Sequence, residues 1–182
     1  MAIAADYESR ILGFEREGLL ELWRAIERRD TPDWEQGKAL EYLILRAFQL
    51  EGAVVRWPYT AQLFGEDVEQ IDGVIYWQDL KCLVEVKDTE RPIALAPVAK
   101  LRNQLQRRPA ETLGLLFSRA GFTRPASVLA QFSSPQAILL WSGAEIEYSL
   151  LRGSLCQSLL MKYRKCVEEG TPDFDIRERK LA

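Results

Sequence analysis

Residues 70–88 read QIDGVIYWQDLKCLVEVKD, two apolar strands joined by a tight turn at Gln78 and Asp79, and the fold turns on this hairpin. It carries Asp72, Glu85 and Lys87 where a strand ordinarily buries apolar side chains. Successive strand residues point to opposite faces, so Glu85 and Lys87 share one. The pairing imposed by a turn at Gln78-Asp79 sets Asp72 opposite Glu85, and the three groups converge at one end of the hairpin. Two neighbouring carboxylates repel, and withdrawing them from water costs several kcal/mol unless a cation joins them. Lys87 offsets one charge; a hard cation such as Mg²⁺ or Mn²⁺, which prefers carboxylate and carbonyl oxygens, supplies the rest. The competing reading is an exposed salt bridge at a hairpin end, near-neutral in energy. Burial of the apolar run KCLVEV favours the cation.

Upstream, YESRILGFEREGLLELWRAIERRD has the apolar spacing of an amphipathic helix, broken near Gly18. Asp30-Thr31-Pro32-Asp33 offers an N-cap with proline at the first helical position, opening a second helix that ends near Gly52. Glu41 lies in that helix beside Leu40, Ile44, Leu45 and Phe48, at the border of the apolar stripe. There it either reaches the hairpin end or pairs along the helix with Lys38 or Arg46. AVVRWPY is a strand, and a polar loop follows around Gly65.

Downstream come a helix ALAPVAKLRNQLQRR stopped by Pro109, a buried strand LGLLFS, a short helix after GFTRPA and a strand QAILLW. A long helix from about Ala144 follows, interrupted near Gly153 and ended by Gly170. This order describes an α/β fold, a mixed central sheet with helices on both faces. One domain is expected over 1–182, with a helical extension at 1–30, a core at 37–152 and a helix and tail at 153–182.

The 182 residues contain no histidine. Histidine bases, Ser-His and Cys-His triads and histidine-ligated zinc are therefore excluded, and any chemistry runs on carboxylates, lysine, hydroxyls or a hard metal. Cys82, Cys156 and Cys166 lack ligand spacing and read as reduced thiols. No stretch has the length and apolarity of a membrane span, and a cytoplasmic protein is expected. The formal charge is −3, yet seven basic residues between Arg91 and Arg124 face the single acid Glu111. Such asymmetry implies a local polyanion contact. Trp57, Trp77 and Trp141 flank strand ends in apolar surroundings and read as packing residues more than as base-stacking platforms.

Glu41 in a leading helix, Asp72, then Glu85-Val86-Lys87 resembles the PD-(D/E)XK nuclease superfamily, which has the restriction-endonuclease-like fold. GKALEYLILRAFQLEGAVV, QIDGVI, LVEVKD, LGLLFS with GFTRPA, and AILLWSGAEIEYSLL are together similar to Mrr-like restriction endonucleases, over roughly residues 37–152. Ile71 stands where the superfamily's proline would be, and Ser118 where a threonine is common. The resemblance implies a metal-dependent DNA endonuclease with Asp72, Glu85, the Val86 carbonyl and Glu41 as metal ligands. Such a metal, Mg²⁺ or Mn²⁺, activates water and neutralises charge on the scissile phosphate. Lys87 would orient or deprotonate the attacking water, or stabilise the transition state.

On the helix after the catalytic strand, Lys100, Asn103, Gln104 and Arg107 lie opposite Val98, Leu101 and Leu105, so Lys100, Gln104 and Arg107 are candidate nucleic-acid contacts, with Gln70 beside the site. Duplex cutting needs two sites and favours a homodimer. A structure-selective repair or junction nuclease, or a scaffold subunit of the same fold, are the alternatives.

Overall fold

Helices α1 (Ala4–Leu12), α2 (Arg16–Glu27) and α3 (Lys38–Leu50) precede strands β1 (Val54–Arg56), β2 (Tyr59–Leu63), β3 (Glu66–Ile71), β4 (Gly73–Trp77) and β5 (Leu80–Lys87). Then follow α4 (Leu95–Leu105), β6 (Thr112–Ser118), α5 (Arg124–Gln131), β7 (Ile138–Ser142), α6 (Gly143–Arg152) and α7 (Leu155–Glu169). The computed structural model describes residues 4–178, so the outer ends of the expected extension and tail lie outside it. The central sheet has the order β1-β4-β5-β6-β7, antiparallel from β1 to β5 and parallel from β5 to β7, which is the expected mixed sheet.

Alternation along β5 divides the core. Cys82, Val84 and Val86 face a large apolar cluster with Leu40, Ile44 and Phe48 of α3, while Leu83 faces a smaller one with Val98, Leu101 and Leu105 of α4. All five side chains from Cys82 to Val86 are buried, as a strand covered on both faces requires. Cys82, Cys156 and Cys166 are free thiols, and burial pushes the first two up to about 12. Among the described residues no helix is long and apolar enough to cross a membrane.

Three local expectations are corrected. The N-terminal break falls at Gly13-Phe14, where the Phe14 N–H turns back to the Ile11 carbonyl, and Gly18 lies inside α2. The next helix begins at Lys38, not at Pro32: Gly37 takes φ +84°, outside the helical region, and Trp34 is held by stacking on Tyr7 and tilting against Tyr42. Finally, the loop around Gly65 joins a hairpin of its own, β2 with β3, apart from the central sheet. The stretch DVEQIDGVIYW is therefore two strands in two sheets, and the chain changes sheets at Asp72. At the other end Gly153 and Gly170 cap α6 and α7 with left-handed backbones, as their positions predict.

Candidate active site

Asp72 is the single residue between β3 and β4. The pairing Gly73↔Val84 carries it alongside the Glu85-Val86 step, where its Oδ2 accepts the Val86 N–H at 2.8 Å. Gly73 makes the approach possible, because a Cβ there would stand 2.5 Å from Leu45 Cδ2 on α3. Lacking one, α3 packs close against the start of β4. Burial, then the negative charge of Glu85, raise the Asp72 carboxyl above its ordinary range.

Glu85 is wholly buried and is clasped by two lysines. Lys87 Nζ stands 2.6 Å from Oε1, and Lys100 Nζ stands 2.8 Å from both Oε1 and Oε2. Glu85 shares its strand face with Leu83, which packs on α4, and so the partner from the next layer is an α4 residue. Lys87 Nζ also donates to the Val86 carbonyl at 3.2 Å. Burial works to lower the Lys87 ammonium, but Glu85, Asp72 and Glu41 together outweigh it and the net movement is upward.

From the opposite layer, α3 presents Glu41 in its first turn. Its Oε2 accepts from Lys38 Nζ at 2.6 Å, and burial followed by the Asp72 charge raises it from 4.5 to about 7. Glu41 thus pairs with Lys38, as one of its two readings expected, and lies near enough to Asp72 and Lys87 to feel their charges. Arg46 is occupied elsewhere, with the Phe14 carbonyl and Gln49.

Three buried carboxylates thus meet three ammonium groups, those of Lys38, Lys87 and Lys100. The donor chemistry suits a hard divalent cation, with the carboxylates of Glu41, Asp72 and Glu85 and the Val86 carbonyl as hard oxygens. Among the described residues, however, no three acidic, cysteine or histidine side chains are drawn together at metal-binding spacing. Lysines hold two of the carboxylates instead, Lys38 on Glu41 at 2.6 Å and Lys87 and Lys100 on Glu85 at 2.6 and 2.8 Å.

The expected nucleic-acid contacts are rearranged. Lys100 does not stand free on α4 but sits on Glu85. Gln104 is buried, and its Nε2 donates to the Gln70 carbonyl at 3.2 Å, so it is not on an open polar face. Arg107 pairs with Glu69, which Arg108 also holds at 2.6 Å. Gln70 keeps an exposed side chain on β3, beside Tyr42 and Tyr59. The basic run is largely spent on acids brought from distant sequence, and Arg119 too is committed, to Asp88 at 2.6 Å. As for the tryptophans, Trp57 stacks on Tyr42, Trp141 stacks on Phe117 inside the core, and Trp77 packs at its border.

A family model described as Restriction endonuclease (Mrr_cat) matches residues 33–150. The chain belongs to the Mrr_cat restriction endonuclease family. This Mrr_cat protein is a nuclease of the restriction-endonuclease-like superfamily, with the α/β architecture expected. A solved structure described as the crystal structure of a protein of unknown function, AF1548, is similar at a TM-score of 0.50 and 15% identity, over 72% of this chain and 77% of that one. At that identity the likeness concerns the fold alone. No curated protein matches.

The matched stretch of the Mrr_cat chain contains Glu41, Asp72, Glu85, Val86 and Lys87, together with Lys38, the expected helical partner of Glu41, and Lys100, expected at a nucleic acid and found on Glu85. Helices α1, α2 and α7 fall outside the match.

Proposed function

We propose that the chain is a metal-dependent DNA endonuclease in which Asp72, Glu85, the Val86 carbonyl and Glu41 hold Mg²⁺ or Mn²⁺ at the open end of the sheet. The observation that carries this reading is the meeting of Asp72 and Glu85 at the β4–β5 end, with Lys87 2.6 Å from Glu85 and Glu41 facing them from α3. The ion, when bound, supplies an activated water and neutralises charge on the phosphate. Asp72 is oriented for its part by the Val86 N–H. Lys87 emerges from the strand with its ammonium between Glu85 and the Val86 carbonyl, a place from which it holds the attacking water or the developing charge. Packing from both layers keeps bulk water from the base of the site.

Cleaving a duplex takes two such sites, so the cutting species is a homodimer. Light scattering tests this point, and a monomer that cuts both strands at micromolar concentration refutes it.

The decisive experiment is cleavage of plasmid and branched DNA with Mg²⁺ or Mn²⁺ by wild type, Asp72→Ala and Lys87→Ala. Metal-dependent cutting lost in both variants is expected. Cutting that survives either substitution, or proceeds in excess EDTA, sinks the assignment.

A further inference from the structure

Lys100 stands 2.8 Å from each oxygen of Glu85, hence on the bisector of the carboxylate. That is the seat a chelating cation takes, at somewhat shorter range. Lys87 adds a second cation to Oε1, and Lys38 answers Glu41, so both of these carboxylates already hold ammonium partners. The geometry points to Lys100 as a tethered cation that occupies the metal's place on Glu85, and which a phosphodiester backbone must draw away before the metal loads. The inference rests on the function proposed above.

Two features separate Lys100 from its neighbour. Lys87, less exposed at 32% of its side chain, is held at a second point as well, by the Val86 carbonyl at 3.2 Å. Lys100 reaches in from α4 on a flexible stem, with 46% of its side chain exposed, so its ammonium swings outward without moving any backbone. Leaving a buried carboxylate costs an ammonium little only when another anion receives it. A divalent ion added to carboxylates that already hold three ammonium groups also brings further positive charge, which needs anions to offset it. DNA answers both needs, through one negative charge per phosphodiester. Metal and substrate therefore load together, and coupling of this kind is reciprocal: each tightens the other by one common factor.

The surrounding residues support a mobile Lys100 over a purely structural one. Glu85 keeps Lys87 when Lys100 departs, so the buried carboxylate is not left without a cation. Gln104, one turn on, is committed to the Gln70 carbonyl, and Arg107, beyond the end of α4, to Glu69, whereas Lys100 is the α4 cation seated on Glu85 and so the one placed to exchange that carboxylate for a phosphate.

The test counts free Mn²⁺ by electron paramagnetic resonance during titration of wild type, Lys100→Gln and Lys100→Arg. Each is titrated alone and with a phosphorothioate-substituted duplex, the duplex's own Mn²⁺ uptake being subtracted. Without DNA, Lys100→Gln is expected to bind Mn²⁺ about tenfold or more tightly than wild type, and DNA is expected to tighten wild type by a similar factor while changing the Gln variant little. Lys100→Arg keeps the charge and follows wild type, and it retains the helix and both contacts if the Gln variant proves unstable in melting curves. Equal Mn²⁺ affinity of wild type and Lys100→Gln without DNA overturns the inference and leaves the nuclease reading standing. So does a Gln variant that loses DNA affinity with its Mn²⁺ affinity unchanged, for Lys100 is then a phosphate ligand only. If no form binds Mn²⁺ with or without DNA, the metal-dependent reading itself falls and takes this inference with it.

Discussion

Replacing Glu41 with glutamine should make the metal-free protein more stable above neutral pH and less able to cut. The carboxyl is raised from 4.5 to about 7, by burial first and by the Asp72 charge second. In the unfolded chain it returns to its ordinary value, so between those limits the folded protein holds a proton that the unfolded one releases. Stability contributed at this position is therefore highest in acid and is lost as pH rises through the window. At about 1.4 kcal/mol per pH unit, the full penalty above pH 7 is about 3 kcal/mol. Glutamine carries no charge to desolvate, and its amide oxygen still accepts from Lys38, whose ion pair with the carboxylate is already contained in the raised value. The variant should gain about 2–3 kcal/mol at pH 8, or roughly 4–12 °C in Tm for a chain of this size. Calorimetric melts in EDTA at pH 5 and pH 8 read it directly, with most of the gap closing at the lower pH. Adding Mg²⁺ at pH 8 should raise the wild-type Tm more than the variant's. A Glu41→Gln protein that melts at or below wild type at pH 8, or whose advantage is the same at both pH values, would refute the reasoning.

Gly73→Ala places a Cβ 2.5 Å and 2.8 Å from the two methyl carbons of the buried Leu45, and should cost about 1–3 kcal/mol by urea unfolding. Because Leu45 lies one turn beyond Glu41, the same change should slow cleavage without altering the carboxylates. Far from the site, Lys162 is fully buried between Glu145 Oε1 at 2.7 Å and the Phe174 carbonyl at 2.5 Å. Glu145→Ala removes the capping of Ser142 and strands that ammonium, so thermal melts should show a loss of about 3–5 kcal/mol. Lys162→Met should cost less, because Glu145 keeps the Ser142 N–H and hydroxyl and the Ile176 N–H as donors. Equal losses for the two would count against this account of the pair.

The order of elements was legible because burial on both faces of β5–β7 leaves uninterrupted apolar runs, and because Gly153 and Gly170 sit where left-handed caps are needed. Pairing around Gln78-Asp79 was legible for the same local reason, and it set Asp72 against the Glu85 end correctly. What escaped was tertiary in origin. Nothing in DVEQIDGVIYW marks the change of sheet, because it falls at the single residue Asp72 and leaves no loop between β3 and β4. The start of α3 was misplaced because a proline and an acid mimic a helix opening, while Trp34, held by rings from α1 and α3, fixes the segment as turns.

The basic run of residues 91–124 shows most plainly why charge in sequence is not charge on a surface. Read linearly, it promised a face for polyanions. Folded, Arg107 and Arg108 meet Glu69, Arg119 meets Asp88 and Lys100 meets Glu85, all acids from the β3–β5 region. Those acids are buried or nearly so, and a buried carboxylate left without a cation costs several kcal/mol, which fixes where the basic groups go before any ligand arrives. Three of these pairs fasten elements together and have no reason to open. The fourth joins a half-exposed lysine to Glu85, where, on the function proposed above, an arriving phosphate and a metal each take one partner, and the same electrostatic rule that closes the site in the free protein then opens it for substrate.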